Sequence, residues 1–136
     1  MARIIGLDYG RKRTGIAVTD PMQIIVSGLD TVTTINLRTF LNDYLANNEV
    51  EKIVIGLPTH RDGSFTYLKN DIDQLVVFLS KKYPKLAIDF QDESYSSSEA
   101  KEKIILAGVK KSKRRDKGLV DKVSAVLILQ KYLKHI

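Results

Sequence analysis

Apolar positions along the chain follow two rhythms: short blocks rich in Ile, Val and Leu, and longer stretches repeating every three to four residues. Arg3–Asp8 (RIIGLD), broken by Gly10, is a block of the first kind and predicts a strand ending in a turn. Thr14–Thr19 (TGIAVT) predicts a second strand, which makes Tyr9–Arg13 the turn of a hairpin. Gln23–Thr33 resumes with Ile24, Ile25 and Val26 and predicts a third, with Gly28 as a bulge. Lys52–Gly56 (KIVIG), stopped by Pro58, and Leu86–Phe90 (LAIDF) predict two more.

The helical rhythm appears four times. Asn36 offers an N-cap for a helix bearing Leu37, Phe40, Leu41, Tyr44 and Leu45. After the polar loop Thr59–Phe65, a second helix carries Ile72, Leu75, Val76, Phe78 and Leu79 and ends at Pro84. Ser96-x-x-Glu99 is a capping-box pattern opening a third helix to Leu106, with Gly108 as its stop. Leu119–Leu133 is the fourth, and it is apolar nearly all round, as a buried helix is. Three strands joined by short turns predict an antiparallel meander, and each later strand, reached through a helix, predicts a parallel crossover. The expected fold is α/β: a mixed five-stranded sheet, three antiparallel strands then two parallel, with helices on both faces. Residues 1–136 read as a single domain, without repeats or a linker.

Composition narrows the chemistry. Hydrophobic residues at 43% and charged residues at 28% describe a soluble globular chain. No cysteine is present, which removes disulfides, thiol nucleophiles and Cys-based zinc sites. The two histidines, His60 and His135, form no metal motif, so metal chemistry here rests on carboxylates, the ligands of Mg²⁺ and Mn²⁺. The N-terminus lacks a signal-peptide core, and the longest apolar run, Ala125–Leu129, is far short of the ~20 residues that span a bilayer. A cytoplasmic protein with no membrane partner is expected.

The formal charge of +6 is concentrated in two places. Residues 108–117 carry six Lys or Arg against one Asp, a net +5, and Arg11, Lys12 and Arg13 add +3, leaving the remainder at −2. Lys110, Lys111, Lys113, Arg114, Arg115 and Lys117 repel one another unless an anion meets them, and Arg11–Arg13 sit in the hairpin turn beside Asp8. Both segments are candidate nucleic-acid contacts.

Three acids stand where charge is costly or exposed at a strand end. Asp8 closes the first strand; a turn Asp bonding its own backbone is the plainer reading. Glu93 follows the fifth strand, where acidic residues also suit the start of a helix. Asp121 shares a helical stripe with Ala125, Ile128 and Tyr132, so its charge needs a partner or a cation, although a place in the first turn would relieve part of that cost. Asp8, Glu93 and Asp121 together form a candidate metal and catalytic set for Mg²⁺ or Mn²⁺. Two such ions about 4 Å apart activate water and steady the leaving oxygen in phosphodiester hydrolysis.

Ordered blocks across nearly the whole chain strengthen that reading. Gly6-Leu7-Asp8-Tyr9-Gly10 with Thr14-Gly15-Ile16-Ala17-Val18 resembles the opening of the YqgF/RuvX family. So do Val54-Ile55-Gly56-Leu57-Pro58 with Asp62-Gly63, Asp92-Glu93 with Tyr95-Ser96-Ser97, and Asp121 with Ser124-Ala125 before Leu127-Ile128-Leu129-Gln130. The resemblance implies a ribonuclease H-like fold and a metal-dependent nuclease, a hydrolase of ester bonds, with Asp8, Glu93 and Asp121 at its acidic positions. It implies maturation of the 5′ end of pre-16S ribosomal RNA in ribosome biogenesis, with Holliday junction resolution as the alternative. Two departures stand out: Ser94 replaces the Arg common after the Asp-Glu pair, and Ser124-Ala125 replaces Ala-Ala.

Two rival classes share some of these features. A nucleotide-dependent phosphotransferase would use a hairpin like Asp8–Gly15, but such enzymes close two lobes on the nucleotide, and no Gly-rich loop ending in Lys-Ser/Thr is present. A non-catalytic RNA-binding assembly factor would account for the basic segments and leave Asp121 without a role.

Overall fold

The computed structural model describes residues 2–57, 64–92, 103 and 117–135. Five strands form one sheet: β1 (Arg3–Asp8), β2 (Arg13–Thr19), β3 (Val26–Thr33), β4 (Val50–Leu57) and β5 (Ala87–Asp92), in the order β3-β2-β1-β4-β5. β1, β2 and β3 pair antiparallel, and β4 and β5 join in parallel. The three helices described are α1 (Leu37–Asn47), α2 (Ser64–Lys82) and α3 (Lys117–Tyr132). The predicted meander and crossovers are both present. The helix expected over Ser96–Leu106, with its Gly108 stop, lies outside the described residues.

Strand alternation divides the core into two layers. Ile5 and Leu7 of β1, Ile16 and Val18 of β2 and Ile53 and Ile55 of β4 pack with Leu37, Leu41, Ile72, Leu75 and Leu79 of α1 and α2. On the opposite face Ile4, Ala17 and Val54 meet Ala125, Ile128 and Leu129 of α3. Helices therefore cover both faces, as the sequence predicts. β1 is buried on both sides, while the edge strands β3 and β5 stay largely accessible.

Small residues let α3 lie close to the sheet. Gly28, Ala17 and Gly6 are cross-strand partners in one row facing α3. A Cβ at Gly6 would overlap the Leu129 side chain, and one at Gly28 would come within 2.7 Å of Lys122 Cγ. The irregularity expected at Gly28 is present: β3 slips by one residue against β2 between Gly28 and Asp30. Asn36 occupies the N-cap position of α1, but its side chain donates to Thr33 Oγ1 and makes no cap bond, because a 3₁₀ turn over Thr34–Asn36 precedes the helix.

At the far end of the sheet Asp20 organises the β2–β3 connection. Its carboxylate accepts the backbone N–H groups of Met22, Ile24 and Ile25, the turn-forming role that its sequence position suggests. These hydrogen bonds hold the Asp20 carboxyl below the usual carboxylate range. No helix among the described residues is long and apolar enough to cross a membrane.

Candidate functional site

The site begins with the last row of the sheet. Asp8, the final residue of β1, is the cross-strand partner of Gly15, and Gly15 in turn partners Thr31 of β3. By alternation Asp8 lies on the same face as Ile4 and Gly6, which is the face α3 covers. A Cβ at Gly15 would overlap the backbone carbonyl of Asp121, so the absence of a side chain there lets the start of α3 rest directly on the end of β2. Thr31 adds a fastening, its hydroxyl donating to the Gly118 carbonyl at 2.6 Å. Strand pairing and one close helix approach thus bring Asp8 and Asp121 to the same end of the same face.

Asp121 does lie on the stripe with Ala125, Ile128 and Tyr132, but α3 starts at Lys117 and no acid stands in its first turn. The expected relief from the helix terminus therefore falls away, since that effect fades beyond the first turn. Its compensation is an ion pair: Arg13 Nε donates to Asp121 Oδ2 at 2.9 Å. The pair is partly open to solvent, with the side chains 39% and 22% exposed.

The hairpin turn carrying Arg11, Lys12 and Arg13 is pinned from β3. Thr34 N–H donates to the Lys12 carbonyl at 2.9 Å, the Thr34 hydroxyl donates to the Gly10 carbonyl at 2.6 Å, and the Thr14 and Thr34 hydroxyls lie 3.0 Å apart. Gly10 is required by closeness, because a Cβ there would overlap the Arg13 carbonyl. Arg11 and Lys12 are exposed residues, and Arg13 turns inward onto Asp121. Tyr9 follows Asp8, and burial, with the Asp71 charge second, pushes its phenol up while Arg38 opposes the shift; it stays protonated at neutral pH.

The opposite end of α3 is clamped by Lys52, Tyr132 and Asp89. Lys52 Nζ donates to the Tyr132 hydroxyl at 2.8 Å, and that hydroxyl donates to Asp89 Oδ2 at 2.7 Å. The hydrogen bond from Tyr132 is the main reason the Asp89 carboxyl is held low, and the one to Tyr132 is the main reason Lys52 is held high. Ser124, in the middle of the helix, is fully buried, and its hydroxyl has no hydrogen-bond partner among the described residues.

Of the predicted acids, the structure places Asp8 and Asp121 beside Gly15 at the same end of one sheet face. Glu93 follows directly on Asp92, the last residue of β5 at this same end of the sheet, and lies outside the described residues. Lys110, Lys111, Lys113, Arg114 and Arg115 lie outside them as well, and Lys117 is the first residue of α3. No three acidic or imidazole side chains meet among the described residues. The donors present suit a hard divalent cation all the same: they are carboxylate oxygens, and a guanidinium already stands against one of them. Gly15, Thr31 and Thr34 were not singled out from sequence, and all three shape the site. The signal for Gly15 was available, since Gly6, Gly15, Ala17 and Gly28 fall on one face once the strands are registered.

Known proteins resemble this chain over nearly its whole length. The model of a family described as "RuvX: Holliday junction resolvase" matches residues 2–135. A protein of Porphyromonas gingivalis named "Putative pre-16S rRNA nuclease" is 48% identical over 133 residues, covering 98% of this chain and 96% of the relative. Relatives of the same name from Bacteroides thetaiotaomicron and Christiangramia forsetii are 44% and 45% identical, with 98% of this chain covered in each case and 97% and 98% of the relative. Among solved structures, T. thermophilus RuvC in complex with a Holliday junction substrate superposes with a TM-score of 0.60 at 16% identity, over 99% of this chain and 96% of that one. That likeness identifies the fold as ribonuclease H-like.

Proposed function

The chain belongs to the RuvX family, and from that premise we propose that it is a metal-dependent nuclease, acting in the cytoplasm on structured RNA at the 5′ end of pre-16S ribosomal RNA. The observation that carries this reading is the placement of Asp8 and Asp121 on either side of Gly15, on the sheet end where the sequence also supplies Glu93. Asp8, Glu93 and Asp121 would hold Mg²⁺ or Mn²⁺. Such ions, when bound, supply a nucleophilic water and neutralise charge at the leaving oxygen.

The chain's own residues do the rest. Thr34 and Gly10 fix the Arg11–Arg13 turn beside Asp8, so that its cations address the phosphates flanking the scissile bond. Gly15 and Thr31 fix the depth and register of α3, and hence the height of Asp121 over the sheet. Lys110, Lys111, Lys113, Arg114, Arg115 and Lys117 precede Asp121 directly and supply the larger share of phosphate attraction.

The names carried by the relatives favour ribosomal RNA, and the family description favours a four-way DNA junction. One assay panel separates these readings: pre-16S RNA and a four-way junction, each offered with Mg²⁺ or Mn²⁺ to wild type and Asp8→Asn. Metal-dependent cleavage of the RNA, lost in Asp8→Asn with binding retained, is the expected result. Cleavage that survives in Asp8→Asn overturns the acidic site, and cleavage confined to the junction selects the second substrate.

A further inference from the structure

Arg13 sits in a turn whose neighbours face solvent, yet its guanidinium is turned onto Asp121. We propose that Arg13 is an exchangeable cation at the acidic site: it holds Asp121 in the absence of a divalent ion and passes to a substrate phosphate when the ion takes that carboxylate. The inference rests on the reading of Asp8 and Asp121 as metal-holding residues and adds a coupling between metal and nucleic acid that runs through one side chain.

Three observations support the exchange. First, the contact is a single side-on bond from Nε to Oδ2, not the two-pronged fork that makes Arg–carboxylate pairs strong. Among the described residues the terminal guanidinium nitrogens make no further hydrogen bond or ion pair. Second, both side chains are partly exposed, so water, ions and phosphate all reach the pair. Exposed pairs of this kind are weak, and a divalent cation held by more than one carboxylate displaces them. Third, the backbone beneath Arg13 is fixed. Arg13 pairs with Thr33 as the first residue of β2, and Thr34 fastens the turn before it. Exchange therefore needs only a side-chain rotation, and the guanidinium moves on a fixed pivot between carboxylate and solvent.

The coupling is reciprocal by necessity: whatever factor the divalent ion adds to nucleic-acid affinity, nucleic acid adds to ion affinity. It also separates Arg13 from Lys12, which has the same charge in the same turn but no carboxylate partner among the described residues.

The test uses the full chain, Mn²⁺ titrations followed by electron paramagnetic resonance, and anisotropy of a labelled stem-loop RNA in chelator. Arg13→Gln is expected to tighten Mn²⁺ binding about five-fold, the competition removed by losing a weak ion pair. Lys12→Gln should shift it by less than about two-fold, because an exposed, solvated charge is screened. Equal shifts in the two variants, or none in Arg13→Gln, overturn the exchange. In chelator, Asp121→Asn frees the guanidinium without altering it, and RNA affinity should rise several-fold. That gain should vanish in the Arg13→Gln/Asp121→Asn double variant, and its persistence there overturns the exchange by a second route. Asp8→Asn checks the foundation. Unchanged Mn²⁺ affinity in that variant overturns the acidic site itself, and the exchange falls with it.

Discussion

Glycine at position 15 sets how closely the start of α3 approaches the acidic end of the sheet, and the obstacle that a methyl group would meet there is backbone. Gly15→Ala must therefore move the helix, because the Asp121 carbonyl has no rotamer to retreat into. Overpacking of this kind costs about 1–3 kcal/mol, and the upper end applies where no side chain can yield. Displacing an acid by about 1 Å costs on the order of 100-fold in rate. Urea unfolding and cleavage of pre-16S RNA should both report these losses. Gly28→Ala is the matched control: it meets the flexible stem of Lys122, a partly exposed side chain that can turn away, so about 1 kcal/mol and a few-fold change in rate are expected. If the two alanines behave alike, close approach at Gly15 is not what positions Asp121. Alternation within each strand already grouped these small residues in the sequence, but which of them would face backbone and which a side chain is decided by helix placement, and that is a tertiary fact.

At the level of elements, α3 is fastened at both ends by different chemistry. Its start is held by Gly15, Thr31 and Arg13, and its end by the chain from Lys52 through Tyr132 to Asp89. Tyr132→Phe removes both hydrogen bonds of that chain. Because Asp89 is exposed, solvent screening keeps the loss small, about 0.5 kcal/mol near neutral pH. The sign with pH follows from Asp89, whose carboxyl is lower in the folded chain than in the unfolded one. Its contribution is complete above the ordinary carboxylate value, about 4, and is lost as pH falls through the folded value. Lys52, held high, contributes below its ordinary value and loses that contribution as pH rises through the folded one. Thermal melts should accordingly show the gap between wild type and Tyr132→Phe at neutral pH and its narrowing in acid; a gap that widens in acid contradicts the clamp. The strands and the parallel or antiparallel sense of their pairing were readable from sequence because blocks of Ile and Val, glycine turns and crossover lengths are local signals. The beginning of α3 was not, since Lys117 and Gly118 read as part of the basic loop, whereas in the structure they belong to the helix and Gly118 is fastened to β3 through Thr31.

Across the whole molecule the positive charge is divided by function. Arg13 belongs to the acidic centre, where it balances Asp121, while the run from Lys110 to Lys117 brings a formal net charge of its own in the sequence. Sequence placed both basic segments next to the acids but treated Arg11, Lys12 and Arg13 as equivalent, because nothing local marks out the cation that will pair with Asp121. The distinction arises from register: Arg13, like Gly15 and Ala17, falls on the α3 face of β2. Nucleic-acid affinity should therefore be dominated by the basic run and by Arg11 and Lys12. If that surface neutralises about five phosphates, the plot of log affinity against log salt has a slope of about −4 to −5. Titration of stem-loop RNA in chelator from low to moderate salt measures it. Replacing Lys110, Lys111 and Lys113 together by Gln should flatten the slope by about 2 to 3, one phosphate per residue. Arg13→Gln should leave it nearly unchanged under the same conditions, because a guanidinium held by Asp121 releases no counterions from RNA. A slope near zero for the wild type removes the basic run as the binding surface, and equal flattening by Arg13→Gln places Arg13 on the phosphate from the start.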